Sequence, residues 1–171
     1  MDYGFAVVRI LHVLSTVFWL GIAVTNIGFV VPAAAKAGPE GGRFMTTLLK
    51  GPLIRATNGA IVVAAITGVY LFWHNSIGQQ GHWDTSAAGT TFGIGALFGL
   101  AAAGVFGALT TPVFRSMVRL SDEIAAAGGP PTAEQGARMM ALRNRSLLVG
   151  RVNAGLLLVA LILMVFGGTY P

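Results

Sequence analysis

The chain has 171 residues, 54% of them hydrophobic and only 10% charged, with a formal charge of +5. Soluble domains carry about 25% charged residues, so this composition, with a mean hydropathy of +0.73, excludes an ordinary globular domain and points to an integral membrane protein. There is no cysteine, which excludes disulfides, thiolate metal sites and thiol chemistry, and no soluble surface remains for a basic patch to meet nucleic acid.

A helix needs ~20 largely apolar residues to cross a ~30 Å hydrocarbon core. Four stretches qualify, at about 5–33, 53–74, 89–113 and 147–168. Within them no Asp, Glu or Lys occurs, and Arg occurs only near their ends. Backbone groups in lipid must be satisfied internally, so each stretch is expected to be a helix. The predicted fold is an all-α, antiparallel four-helix bundle, a single membrane domain over 1–171 embedded in the lipid bilayer. No basic segment precedes the first apolar run, so that run is expected to be a retained helix and not a cleaved leader.

The first helix carries His12, then Trp19, then a patch of small and amide residues, Gly21, Thr25, Asn26 and Gly28. A Gly- and Pro-containing linker from Lys36 to Pro52 leads to the second helix. The next linker, Asn75 to Ala88, holds His82, Trp83 and Asp84 but no Lys or Arg. The third helix is rich in glycine (Gly89, Gly93, Gly95, Gly99, Gly104, Gly107). Small residues let helix backbones approach closely, so this helix is expected inside the bundle or at an oligomer contact.

The third linker, 114–146, is expected to be a short helical hairpin. Arg115 to Ala127 continues the third helix, and Gly128-Gly129-Pro130-Pro131 stops it. Thr132 with Gln135 then reads as a capping box that starts the next helix. The first and third linkers together hold eight of the eleven basic residues. Positive charge stays in the cytoplasm, so both termini and the His82 loop are expected outside, with Trp73, Trp83 and Tyr170 as aromatic anchors there.

A short internal repeat is visible. Val30-Val31-Pro32 near the end of the first helix matches Thr110-Thr111-Pro112 near the end of the third. Arg55-Ala56-Thr57-Asn58-Gly59 matches Arg151-Val152-Asn153-Ala154-Gly155 at the starts of the second and fourth. Two similar hairpins would be related by an axis along the membrane normal.

Few residues can carry chemistry. A histidine in a spanning helix is a functional hypothesis by default. His12 and His74 sit towards the outer ends of neighbouring antiparallel helices and are expected at matching depth. There they would ligate one haem iron, or copper, from two sides; His12 with Met164 is the other pairing. At the opposite end, Arg55 and Arg151 are expected to meet an anion or lipid headgroup, with the nearby Asn residues as interhelical hydrogen-bond partners. No buried carboxylate, no nucleophile with a base and no phosphate loop is evident, so hydrolase or kinase chemistry is not expected.

Leu11-His12, Trp19 and Gly21, followed by Ile66-Thr67-Gly68-Val69-Tyr70-Leu71, resemble the copper-resistance D-like group of small bacterial membrane proteins, and more distantly the HemJ-type protoporphyrinogen oxidases. The resemblance covers the first two helices. It implies a membrane histidine, here His12, that serves copper handling or haem b. The HemJ pattern after the first helix is replaced here by Val30-Val31-Pro32-Ala33, so protoporphyrinogen oxidation is not implied.

The expected function is binding of haem b or copper near the outer leaflet of a bacterial inner membrane, for electron transfer or metal handling. The rival is a non-catalytic accessory subunit of a larger membrane complex or homo-oligomer.

Overall fold

A computed structural model describes residues 3–78 and 82–170 of the chain. Among them there are helices and connecting turns and no strand. Five helices follow in order: α1 (Tyr3–Lys36), α2 (Gly38–Lys50), α3 (Pro52–Gly78), α4 (Ala87–Ala126) and α5 (Ala133–Gly167). All but α2 are long and apolar enough to cross a membrane.

α1 packs along α3, and α4 packs along α5. The two hairpins then meet edge to edge, α1 on α5 and α3 on α4. The backbones of α1 and α4 stand at opposite corners, as do those of α3 and α5. The diagonal pairs are the repeat-related pairs, so the bundle is the one expected: four antiparallel spanning helices built as two similar hairpins.

The repeat has a local physical basis. A proline lacks an N–H and its ring crowds the carbonyl four residues back. For Pro32 and Pro112 those carbonyls belong to Gly28 and Ala108. Both lie in a widened turn, a π-helical segment over Asn26–Val30 in α1 and Phe106–Thr110 in α4. The Val31 N–H reaches the Asn26 carbonyl, and the Thr111 N–H reaches that of Phe106. In α4 the Thr111 hydroxyl also donates to the Phe106 carbonyl at 3.1 Å. The widened turn thus admits proline while the backbone stays hydrogen-bonded at Asn26 and Phe106.

The stretch from Lys36 to Pro52 is not a plain linker. Gly38, at φ +58°, turns the chain, and α2 follows at once. Pro39 sits in its first turn beside Glu40, and Lys50 closes its last, an arrangement that suits the helix dipole. A Cβ at Gly41 would overlap the Ala34 carbonyl, so only glycine lets α2 fold back so tightly on α1. The expected hairpin at 114–146 is present. Gly128, at φ +66°, ends α4's extension, and Thr132 and Gln135 form the capping box that opens α5.

The centre of the bundle is Trp19, only 4% exposed, packed with Ile61, Ala102, Phe106 and Leu157. Each of the four spanning helices contributes to that cluster. The outward faces are apolar as well: Leu14, Ile66, Leu97 and Ile162 are all exposed. Such faces suit lipid contact. Replacing Trp19 by alanine is expected to cost about 3 kcal/mol, the scale for emptying a buried aromatic site. Reversible unfolding in mixed micelles measures it, and a change below about 1 kcal/mol would show that the cluster does not hold the hairpins together.

Candidate functional site

His12 lies on α1 where it faces Ala64 and Thr67 of α3. Its Nδ1 is 2.9 Å from the Ala64 carbonyl oxygen and 3.2 Å from the Thr67 hydroxyl. The Thr67 hydroxyl itself donates to the Val63 carbonyl at 2.5 Å, so towards His12 it is an acceptor. Both partners therefore require a proton on Nδ1. In the neutral ring Nε2 then carries a free lone pair, and it has no hydrogen-bond partner among the described residues.

The ring has room because of Gly68. A Cβ there would stand 2.9 Å from His12 Cε1 and 3.3 Å from Nδ1. Thr16 donates to the His12 carbonyl at 2.7 Å and Ser15 to it at 3.0 Å, which ties the turn that carries the imidazole. Metal-bound histidines commonly donate their second ring nitrogen to a carbonyl, which fixes tautomer and orientation. The His12 niche supplies that arrangement from protein atoms alone.

His74 does not share the niche. Its ring lies 4.9 Å from Phe5 and stacks on Tyr70 at 5.8 Å. His74 is seven residues beyond Thr67, about 10 Å of helix rise further along α3. The expected matching depth is corrected by this register: α1 and α3 align His12 with Thr67 and Phe5 with His74. Met164 is nearer in depth, because α1 and α5 align Ile27 with Gly150 and Trp19 with Leu157. Its methyl carbon points to Gly95 on α4, 3.4 Å from where a Cβ would lie. Each of the two side chains faces its own hairpin partner. His82 is exposed in the loop between α3 and α4. Among the described residues no three His, Asp or Glu side chains converge.

Arg55 and Arg151 are not neighbours. The two stand on α3 and α5, at opposite corners of the bundle. Arg55 lines a groove with Arg115 and Arg119 instead. The amides do not bridge helices as expected. Asn58 donates to the Ile54 carbonyl of its own helix at 2.8 Å. Asn153 is 3% exposed, and its Oδ1 has no hydrogen-bond partner among the described residues. Trp19 Nε1 is another buried orphan, and both side chains line a partly open cavity of about 80 Å3 with Thr57 and Thr110. That space admits several waters but falls short of the ~150 Å3 that holds a benzene ring.

Trp83 is more than an anchor. It packs between Phe72 at 5.4 Å and Phe92 at 5.8 Å, where the end of α3 meets the start of α4. Trp73 and Tyr170 remain exposed.

Compared with family models, with curated proteins and with solved structures, the chain matches none.

Two substitutions test the niche. Gly68→Ala forces the imidazole off its site and is expected to cost about 1–3 kcal/mol, the range for overpacking. Thr67→Val keeps the shape and removes one acceptor, for about 1 kcal/mol. Unfolding of both variants in micelles checks the order; a harmless Gly68→Ala would mean that the ring does not rest there.

Proposed function

We propose that this chain is a multi-pass protein of a bacterial inner membrane that binds haem b, or copper, through His12 near the outer leaflet, and serves electron transfer or metal handling. The observation that carries the reading is the His12 niche. An imidazole held through Nδ1 by a backbone carbonyl, with Nε2 left over, is prepared to be a ligand. The proposed orientation rests on the basic residues of α2, α4 and α5, which gather at one end and mark it as cytoplasmic. His12 belongs to the other end. The residues Leu11, His12, Trp19, Gly21 and 66–71 support placing the chain beside the copper-resistance D-like group.

The donor set defines what can bind. His12 is one fixed imidazole, while His74 packs on Phe5 and Tyr70 and the Met164 methyl lies towards Gly95. A haem held here would be tethered by His12 alone among the candidate ligands. When bound, haem iron or copper supplies one-electron chemistry. The protein's own part is to hold the ring with Nε2 unprotonated and to surround it with the apolar faces of α1 and α3. No carboxylate stands in the niche to move protons, so bond-breaking chemistry by the chain itself is not proposed.

A second reading, the accessory subunit, is favoured by one different observation. On α4, Ala101, Gly104 and Ala108 form an exposed row, and nothing lies within 4 Å of a Cβ built at Gly104. Such a row suits close contact with another helix, in a homo-oligomer or a larger complex.

Absorption spectra of the detergent-purified protein, made with ample haem supply, separate the two. A Soret band that persists in His74→Ala and Met164→Ala but is lost in His12→Ala is the expected result. Copper retained in place of haem, and lost in the same variant, fits the metal-handling form. A colourless wild type without copper by elemental analysis contradicts cofactor binding and leaves the accessory reading.

A further inference from the structure

We propose that the basic end of the bundle holds the phosphate headgroup of an anionic phospholipid, clamped by Arg55, Arg115 and Arg119. A groove of about 620 Å3 runs there between the end of α2, the start of α3 and the extension of α4. That is within the ~300–1,000 Å3 range of small-ligand sites.

The charges in the groove are unbalanced. Lys50, Arg55, Arg115 and Arg119 line it with Asp122 and Glu123. Lys50 is spent on an ion pair with Asp122, which joins α2 to α4. The Thr46 hydroxyl meets that of Ser121 at 3.2 Å, a second tie between the same helices. These contacts build one wall and leave the three arginines without a carboxylate partner among the described residues.

Arg115 and Arg119 are one turn apart on α4, so they share a face. Arg55 comes from the opening turn of α3 across the groove. Guanidinium forks match phosphate oxygens bidentately, which an isolated ammonium does not. The apolar members of the groove, Ile54, Phe114 and Val118, sit beside the arginines. Ile54 and Phe114 lie next in sequence to Arg55 and Arg115, where the apolar spans end. An arginine clamp beside an apolar wall at that level fits a lipid, whose phosphate and acyl chain bind together, better than a free anion. Basic pockets between helices on the cytoplasmic side commonly take such headgroups. This site is at the end of the bundle away from His12 and does not depend on what His12 binds.

The test uses the full chain in detergent, titrated with phosphatidylglycerol, phosphatidylcholine or inorganic phosphate and read by native mass spectrometry. The double variant Arg115→Gln/Arg119→Gln removes two clamp residues; Arg138→Gln/Arg145→Gln removes equal charge elsewhere at the same end. Phosphatidylglycerol is expected to stay bound to wild type and to the control. The clamp variant is expected to lose about tenfold in affinity, the scale of a charge-assisted contact. Arg55→Gln, the third clamp residue on a different helix, is expected to lose comparably, so misfolding of one variant does not decide the matter. An equal loss in the control would reduce the effect to diffuse charge and overturn the site. Equal retention of phosphatidylcholine would overturn it too. Displacement of the lipid by inorganic phosphate at matching concentration would assign the clamp to a soluble anion and overturn the lipid as occupant.

Discussion

Among the described residues, the side-chain hydrogen bonds that cross between spanning helices are those of His12 to Ala64 and Thr67. In lipid, helices gain nothing by hiding apolar side chains from their surroundings, so packing and such polar bonds decide how they dock. The His12 bond therefore sets more than its own ring. It fixes the register of α1 on α3, and through it the meeting of Phe5 with His74 at one end and of Trp19 with Ile61 at the centre. Gly68 makes it possible by giving the ring a place to lie.

The second hairpin uses the same logic without a polar bond. Gly167 receives the ring of Phe92, which would stand 2.9 Å from a Cβ there, and Gly95 sits against Leu163 and Met164. Small residues bring the backbones together, and large side chains from the neighbour fill the gap. The two hairpins then share the widened turn before proline in α1 and α4. They also share a buried polar residue two positions after an arginine, Thr57 in α3 and Asn153 in α5. The shared pattern is a fold device; the imidazole is particular to the first hairpin. One pair of helices thus carries the imidazole, while the basic groove draws on α2, α3 and α4 together.

The spans were legible because they are long compositional signals, and lipid leaves helix as the only outcome for such runs. The capping box at Thr132 and Gln135 was legible for a similar reason: its chemistry is local. The helix α2 was not, because its Gly38, Gly41 and Gly42 read as linker until Gly41 is seen against the Ala34 carbonyl. His12 stood out as a polar residue in an apolar run, but its partners did not. Ala64 acts through its backbone, which no side chain announces. Thr67-Gly68 was visible as a pair, and a hydroxyl beside a gap in an apolar helix is the one signal that would have pointed to the niche. The matching depth of His12 and His74 was wrong because register depends on packing between helices, and the partners of Arg55 were missed because which helices are neighbours depends on it as well.

Ligand binding at His12 turns on one nitrogen, Nε2. Nitrogen-15 solid-state NMR of His12-labelled protein in bilayers, without added haem or copper, reads the tautomer directly. A neutral ring protonated at Nδ1 and bare at Nε2, with the Nδ1 proton close to the Ala64 carbonyl, is the predicted result. A ring protonated at Nε2 and bare at Nδ1 would contradict it, because the Ala64 carbonyl would then face a lone pair and the niche would not present a ligand.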